Sequence, residues 1–380
     1  MRKALIITAM AAMALSVSAA KVKVKKVAEP VEQMPTWTEW HDLQVNEVNR
    51  YGLRTNFFAY ENEQAALAGN MEKSANYLSL EGTWKFKWVA DADQRPTDFY
   101  KADYDDSAWK TMQVPGIWEL NGYGDPEYVN VGFGWRYMFN GDDYFKGFKK
   151  EYKVTNDSLP VPITDNHVGS YRRVIELPAN WDGKQVVAHF GSVTSNIYLF
   201  VNGHYAGYAE DGKVAAEFDI TKFVKPGKNL IAFQTFRWCD GSWDEDQDFW
   251  RLSGVARNCY LFAKNPAVQV SNIKITPDLL NDYQDGELLI NVNVKGNPLI
   301  DFQLINANNQ VVGKSSGSFH SMLTGSARFT VRNVKKWTAE TPYLYTLLTI
   351  VKDRKGNVVE VIPQKVGFRK IEIKNSQLLV

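Results

Sequence analysis

The chain has 380 residues, 44% of them hydrophobic and 13% aromatic, with 44 Lys and Arg against 43 Asp and Glu. That length exceeds one ordinary core and points to two domains plus tails, while the apolar content excludes a disordered chain. A net charge of +1 gives no electrostatic footprint for nucleic acid or an anionic membrane, so neither is expected as a partner.

Arg2 and Lys3 precede an apolar run over residues 4–17 that closes on Ser18, Ala19 and Ala20. This is the pattern of a secretory signal over residues 1–20, too short for a retained span, and it predicts export to the periplasm or beyond. Residues 21–44 alternate Lys with Val, then carry Pro30 and Pro35, and read as a linker. Short strand patterns follow at 77–88, 170–176, 185–190, 197–201, 230–237 and 259–263. Asn180 to Gly183, Asn202-Gly203, Asp211-Gly212 and Pro226-Gly227 punctuate them, and Asn202-Gly203 directly after an apolar run predicts a tight hairpin. With no long amphipathic helix pattern, residues 45–264 are expected to form a jelly-roll-like β-sandwich. From Asn265-Pro266 onward, strand patterns recur about every ten residues (268–275, 287–294, 302–305, 327–331, 343–351, 358–362), the signature of an immunoglobulin-like β-sandwich over 265–375. The expected fold class is therefore all-β. The two cysteines, Cys239 and Cys259, could pair in an exported protein, but Cys259 also sits in a strand-like alternation that suits a buried thiol.

Chemistry concentrates between Arg237 and Gly254. Asp240, Asp244, Glu245, Asp246 and Asp248 are interleaved there with Trp238, Trp243, Phe249 and Trp250. A solvated acidic loop rarely carries so many aromatics, and a buried strand rarely tolerates so many carboxylates. Aromatic faces beside hydrogen-bonding carboxylates suit a sugar, with its apolar C–H face and its rim of hydroxyls. Calcium fits poorly: Asp244, Asp246 and Asp248 have EF-hand spacing, but Phe249 and Val255 stand where glycine and glutamate are needed. Zinc fits no better, since His41, His167, His189, His204 and His320 are scattered. There is no nucleophile elbow, phosphate loop or dinucleotide fingerprint. Retaining glycosidases use two carboxyl groups about 5 Å apart in contrasting environments, whereas acids on one short segment share one environment.

The word running from Glu245 through Asp246, Gln247, Asp248, Phe249, Trp250, Arg251, Leu252 and Ser253 to Gly254 resembles the large β-galactosidases of glycoside hydrolase family 2. So do Leu80 to Phe86, Val114 to Trp118, Gly169 to Arg173, Phe200 to Gly203 with Gly207-Tyr208, Glu217 to Ile220, Trp337 to Tyr345 and Val366 to Arg369, in that order. The resemblance covers nearly everything from residue 45 onward. It implies that Asp248 contacts galactose and helps to hold a sodium ion, and that Asn130 and Val131, in the stretch Gly124 to Val131, reach the same sugar. Asp244, Glu245, Asp246 and Arg251 are expected to pin the loop, the acids pairing with Arg237, Arg251 or Arg257. In that family both catalytic glutamates belong to a TIM barrel after the immunoglobulin-like domain, and residues 376–380 would be its approach. The resemblance thus implies a non-catalytic half with no catalytic residue or cofactor of its own. Sodium and magnesium are implied for the full-length family, β-galactosides as the sugar partner, and homo-oligomerisation is left open. The competing readings are a stand-alone carbohydrate-binding or scaffolding module, or the N-terminal part of a β-glucuronidase or β-mannosidase.

Overall fold

The computed structural model describes residues 34–129, 135, 153–245, 247–321 and 324–380. Asn130, Val131 and Asp246, together with the expected signal, therefore lie outside the described residues. What is described is nearly all strand. The α-helix Glu63–Ala68 is one short exception, opened by the Asn62 side chain and closed at Gly69 with φ 66°. No helix among the described residues is long and apolar enough to cross a membrane.

The first sandwich opposes a seven-stranded antiparallel sheet to a four-stranded one built from Ala216–Asp219, Gln185–Phe190, Cys259–Lys264 and Tyr77–Ser79. Strand Ile197–Val201 shows why its sequence is apolar at every position. Ile197, Leu199 and Val201 enter the core between the sheets, while Tyr198 and Phe200 enter a second, aromatic layer on the opposite face. A sheet covered on both faces loses the alternation that a half-exposed strand keeps. Residues 34–44, expected as the end of a linker, are part of that cover. Trp40 is buried and stacks on Phe236 with centroids 5.0 Å apart, and Trp37 stacks on Tyr198 and Phe200. Asn202 and Gly203 both take positive φ (52° and 89°) and join two strands whose residues Val201 and His204 face each other. That is the predicted tight hairpin.

The second sandwich pairs a three-stranded sheet (Gln269–Leu280, Asp285–Lys295, Gly325–Val331) with a four-stranded one (Val311–Ser318, Leu299–Ile305, Tyr345–Lys352, Val358–Val366). Here alternation is intact: Leu288, Ile290, Val292 and Val294 point inward along one strand and their neighbours, polar except for Leu289, point out. Phe57, Ala59 and Tyr60, which the sequence assigns to the first sandwich, pack instead into the second, where Tyr60 bridges Val361. Residues 51–60 thus strap the two sandwiches together. Cys239 and Cys259 are both buried free thiols, so the disulfide is not formed.

Candidate functional site

Strand Gly227–Phe236 leaves the large sheet and leads straight into Arg237. The Arg237 guanidinium is buried, lies over the Trp238 ring at 5.1 Å, pairs with Glu127 at 3.2 Å and donates to the Asp125 carbonyl at 3.1 Å. A buried cation must be paired, and this one draws residues 125–127 to the loop. The chain then makes one 3-10 turn, Asp240–Trp243, capped from Cys239 by the Ser242 hydroxyl at 3.1 Å. It returns as strand Phe249–Arg251, paired antiparallel with Glu127–Val129 so that Trp250 faces Tyr128. The loop closes at Gly254, whose φ of 102° and whose closeness to the Gly116 carbonyl and the Trp118 ring leave no room for a Cβ. Two segments far apart in sequence thereby become one two-stranded ribbon.

Asp248 sits at the start of that ribbon, exposed, and accepts a short hydrogen bond from the Tyr128 hydroxyl. Tyr128 and Trp250 are each 54% exposed, with ring centroids 5.6 Å apart at 63°. Glu245 is held from two sides, by the Gly212 N–H at 3.1 Å and by the Lys213 ammonium at 3.6 Å. Arg251 donates to the carbonyls of Gln247 at 2.8 Å and Glu245 at 3.3 Å, and lies 4.5 Å over the Phe249 ring. Asp244 is exposed and closes the 3-10 turn with its backbone N–H, while its carboxylate bonds no described residue. Among the described loop acids, Asp240, Asp244, Glu245 and Asp248, none pairs with Arg237 or Arg257. Arg237 serves Glu127, and Arg257 donates to the carbonyls of Gly191 and Lys213. The physical reason is that loop carbonyls need donors as much as carboxylates do, and the guanidinium fork satisfies several at once.

Sequence reasoning missed the support behind the loop. Tyr128 lies inside the stretch quoted above and could have been singled out as an aromatic beside Asn130. Trp135 packs edge-on against Trp238 and Trp243 at 5.0 and 5.3 Å. Asp240 is buried against Glu210, and burial first, then the neighbouring Asp240, pushes the Glu210 carboxyl up to about 9, so it is neutral at pH 7. With Cys239 these two acids have ligand atoms within 4.8 Å of one another, a metal-type grouping that lies behind the loop and apart from Asp248. Asp248 itself offers a single exposed carboxylate with one oxygen engaged by Tyr128. Hard cations take several oxygen ligands, so a sodium ion there would need further ligands from outside the described residues. The cavity between the loop and the sandwich holds about 30 Å³, room for a water and not for a sugar ring.

Comparison with known proteins follows the same division of the chain. Residues 138–266 match the family described as "Glycosyl hydrolases family 2, sugar binding domain", and residues 268–369 match "Glycosyl hydrolases family 2". A β-galactosidase of Priestia megaterium is 32% identical over 365 residues, which is 92% of this chain and 33% of that protein. A β-galactosidase of Lactobacillus delbrueckii subsp. bulgaricus is 34% identical over 343 residues, 88% of this chain and 31% of that one. The β-galactosidase large subunit of Lactobacillus helveticus is 32% identical and is matched over 49% of its length. The chain thus spans a third to a half of these relatives. Among solved structures, a β-glucuronidase of Bifidobacterium dentium complexed with coumarin-3-O-glucuronide aligns with a TM-score of 0.61 at 15% identity, over 81% of this chain and 51% of that one. A β-glycosidase of Bacteroides vulgatus aligns with a TM-score of 0.58 at 22% identity, over 79% of this chain and 34% of that one. These two likenesses concern the fold alone.

Proposed function

Because the chain belongs to glycoside hydrolase family 2, we propose that it is the N-terminal part of an exported β-galactosidase and supplies one edge of the pocket for terminal β-galactosides. The observation that carries this reading is the exposed group of Tyr128, Asp248 and Trp250 on the ribbon. Aromatic faces cover the C–H side of a sugar, and an ionised carboxylate accepts two ring hydroxyls in charge-assisted hydrogen bonds. The same negative charge disfavours a sugar that carries its own carboxylate, which argues for galactose over glucuronic acid. The relatives named β-galactosidase support the same choice.

The hydrolytic step needs a proton donor with a raised pKa and an ionised nucleophile on opposite sides of the scissile bond. Among the described loop acids, Glu245 is tied to Lys213, Asp240 is buried against Glu210, and Asp244 and Asp248 are exposed. Both catalytic carboxyl groups would come from a barrel outside this chain. Asp248 would bind and orient the ring, and a sodium ion beside it would add positive charge toward the sugar hydroxyls.

Saturation-transfer NMR with methyl β-D-galactoside tests the reading on the chain itself. A shallow edge encloses little of its ligand, so binding in about the millimolar range is expected, about −4 kcal/mol, and Asp248→Asn or Trp250→Ala should remove it. Transfer that is unchanged in both variants would overturn the assignment.

A further inference from the structure

A second cleft, about 400 Å³ in volume, lies between the extended segment 51–58 and the small sheet of the first sandwich. Its wall is a cross-strand row. In the sheet register Glu217 faces His189 and His189 faces Tyr260, so three side chains of adjacent strands stand side by side. The imidazole stacks on the Tyr260 ring with centroids 4.3 Å apart at 20°. Glu217 accepts from His189 Nδ1 at 2.8 Å and from Arg54 at 2.6 and 2.9 Å, with all three groups buried. Burial alone would raise the Glu217 carboxyl, yet the hydrogen bonds from His189 and Arg54 outweigh it and hold it down to about 2. An ionised carboxylate at Nδ1 keeps the proton on that nitrogen and leaves Nε2 for a ligand hydroxyl. Neither Nε2 nor the Tyr260 hydroxyl is hydrogen-bonded by a described residue, although both side chains line the cleft.

The charge balance of the lining is also one-sided. Glu217 neutralises Arg54 and Glu245 pairs with Lys213, which leaves Arg257 as the rim cation. Arg257 is exposed and uses one nitrogen, Nη1, on the carbonyls of Gly191 and Lys213. Tyr51 and Phe58 add aromatic surface, Phe58 edge-on to Tyr260 at 6.3 Å. Aromatic walls, an imidazole nitrogen, a free phenol and a rim guanidinium together match one ligand chemistry. We propose that this cleft is a second saccharide site, separate from Asp248, that takes a monosaccharide unit carrying an anionic substituent. The sugar hydroxyls pair with His189 Nε2 and the Tyr260 hydroxyl, and the anion faces Arg257. A volume of this size accepts one sugar ring and excludes a long chain. A carboxylate, sulfate or phosphate on the sugar presents the same chemistry, and the choice of probe separates them.

Calorimetry on the chain with methyl β-D-glucuronide, galactose 6-sulfate and galactose 6-phosphate tests the proposal, with methyl β-D-galactoside and inorganic sulfate as comparators. At least one anionic sugar should bind about tenfold more tightly than either comparator. Arg257→Ala and Tyr260→Phe, each verified as folded by an unchanged melting profile, should weaken it about fivefold or more, the loss of one hydrogen bond or ion contact. Asp248→Asn should leave it unchanged. Three outcomes each overturn the proposal: no anionic sugar binding at about 10 mM, inorganic sulfate binding as tightly as the best sugar, or loss of binding in Asp248→Asn with retention in Arg257→Ala.

Discussion

Tyr128 and Asp248, 120 residues apart in the chain, are joined by a hydrogen bond from phenol to carboxylate at the start of the ribbon. The bond stabilises the protonated phenol, so Tyr128 titrates above its ordinary value, chiefly through that bond and further through desolvation and the Asp248 charge. Asp248→Asn should return the Tyr128 titration, followed by NMR of labelled tyrosine, toward the ordinary phenol range. Tyr128→Phe should change the unfolding free energy by no more than about 0.5 kcal/mol, because both groups are exposed. An unshifted Tyr128 titration in Asp248→Asn would remove the bond.

Where the two sandwiches meet, Lys264 and Glu360 form an ion pair at 3.8 Å with both side chains almost fully buried. Lys264 also donates to the Val270 carbonyl at 2.6 Å, and Glu360 accepts the Val270 N–H at 2.6 Å. Removing one charge leaves the other buried without its partner, so Lys264→Met should cost about 3–5 kcal/mol in urea unfolding. The double change Lys264→Met with Glu360→Leu should recover most of that loss. A single variant as stable as the wild type would mean that water reaches the pair.

Glu217 gives the protein a defined acid sensitivity. Its carboxyl is held near 2, below the ordinary value of 4.5, despite burial, by His189 and Arg54. A depressed carboxyl stabilises the fold above its unfolded pKa, and that stability is lost as pH falls from about 4.5 toward 2. The difference corresponds to about 3 kcal/mol. Glu217→Gln should therefore melt well below the wild type at pH 7, and the two melting temperatures should converge as pH approaches 2. Parallel curves across that window would contradict the assignment.

Burial pushes both thiols up, Cys239 and Cys259 alike, so neither is a ready thiolate. A thiol reagent should modify both only after unfolding, and the unreduced protein should have the mass of the dithiol. A mass lower by two hydrogens would establish a disulfide.

Much of this architecture is legible in the residues. The alternation through Leu288, Ile290, Val292 and Val294 marks a half-buried strand of the second sandwich, and Asn202-Gly203 marks a hairpin of the first because both residues accept positive φ. The run Ile197 to Val201 announces burial but not that its two faces meet different layers, since periodicity vanishes when both sides are covered. Trp37 and Trp40 sit in a Pro-containing polar stretch, and nothing local signals that they seal a sheet more than 150 residues away. The site is legible as a composition of acids and aromatics. Its assembly is not, because the ribbon pairing of Tyr128 with Trp250 rests on Arg237 reaching Glu127, a non-local contact with no sequence period. Arg251 was recognisable as a clamp, while its bonds to the Glu245 and Gln247 carbonyls depend on the path of the turn.

The central claim is that Asp248 holds the galactose ring. Its most direct test is the catalytic efficiency toward an aryl β-galactoside of a protein in which this chain continues into a catalytic barrel, compared between the wild type and Asp248→Asn at several sodium concentrations. Hydrogen bonds to a charged acceptor contribute about 1.5–3 kcal/mol, so the efficiency should fall about 10- to 150-fold and respond less to added sodium. Matching kinetics for the two proteins at every sodium concentration would contradict the claim and remove Asp248 from the site.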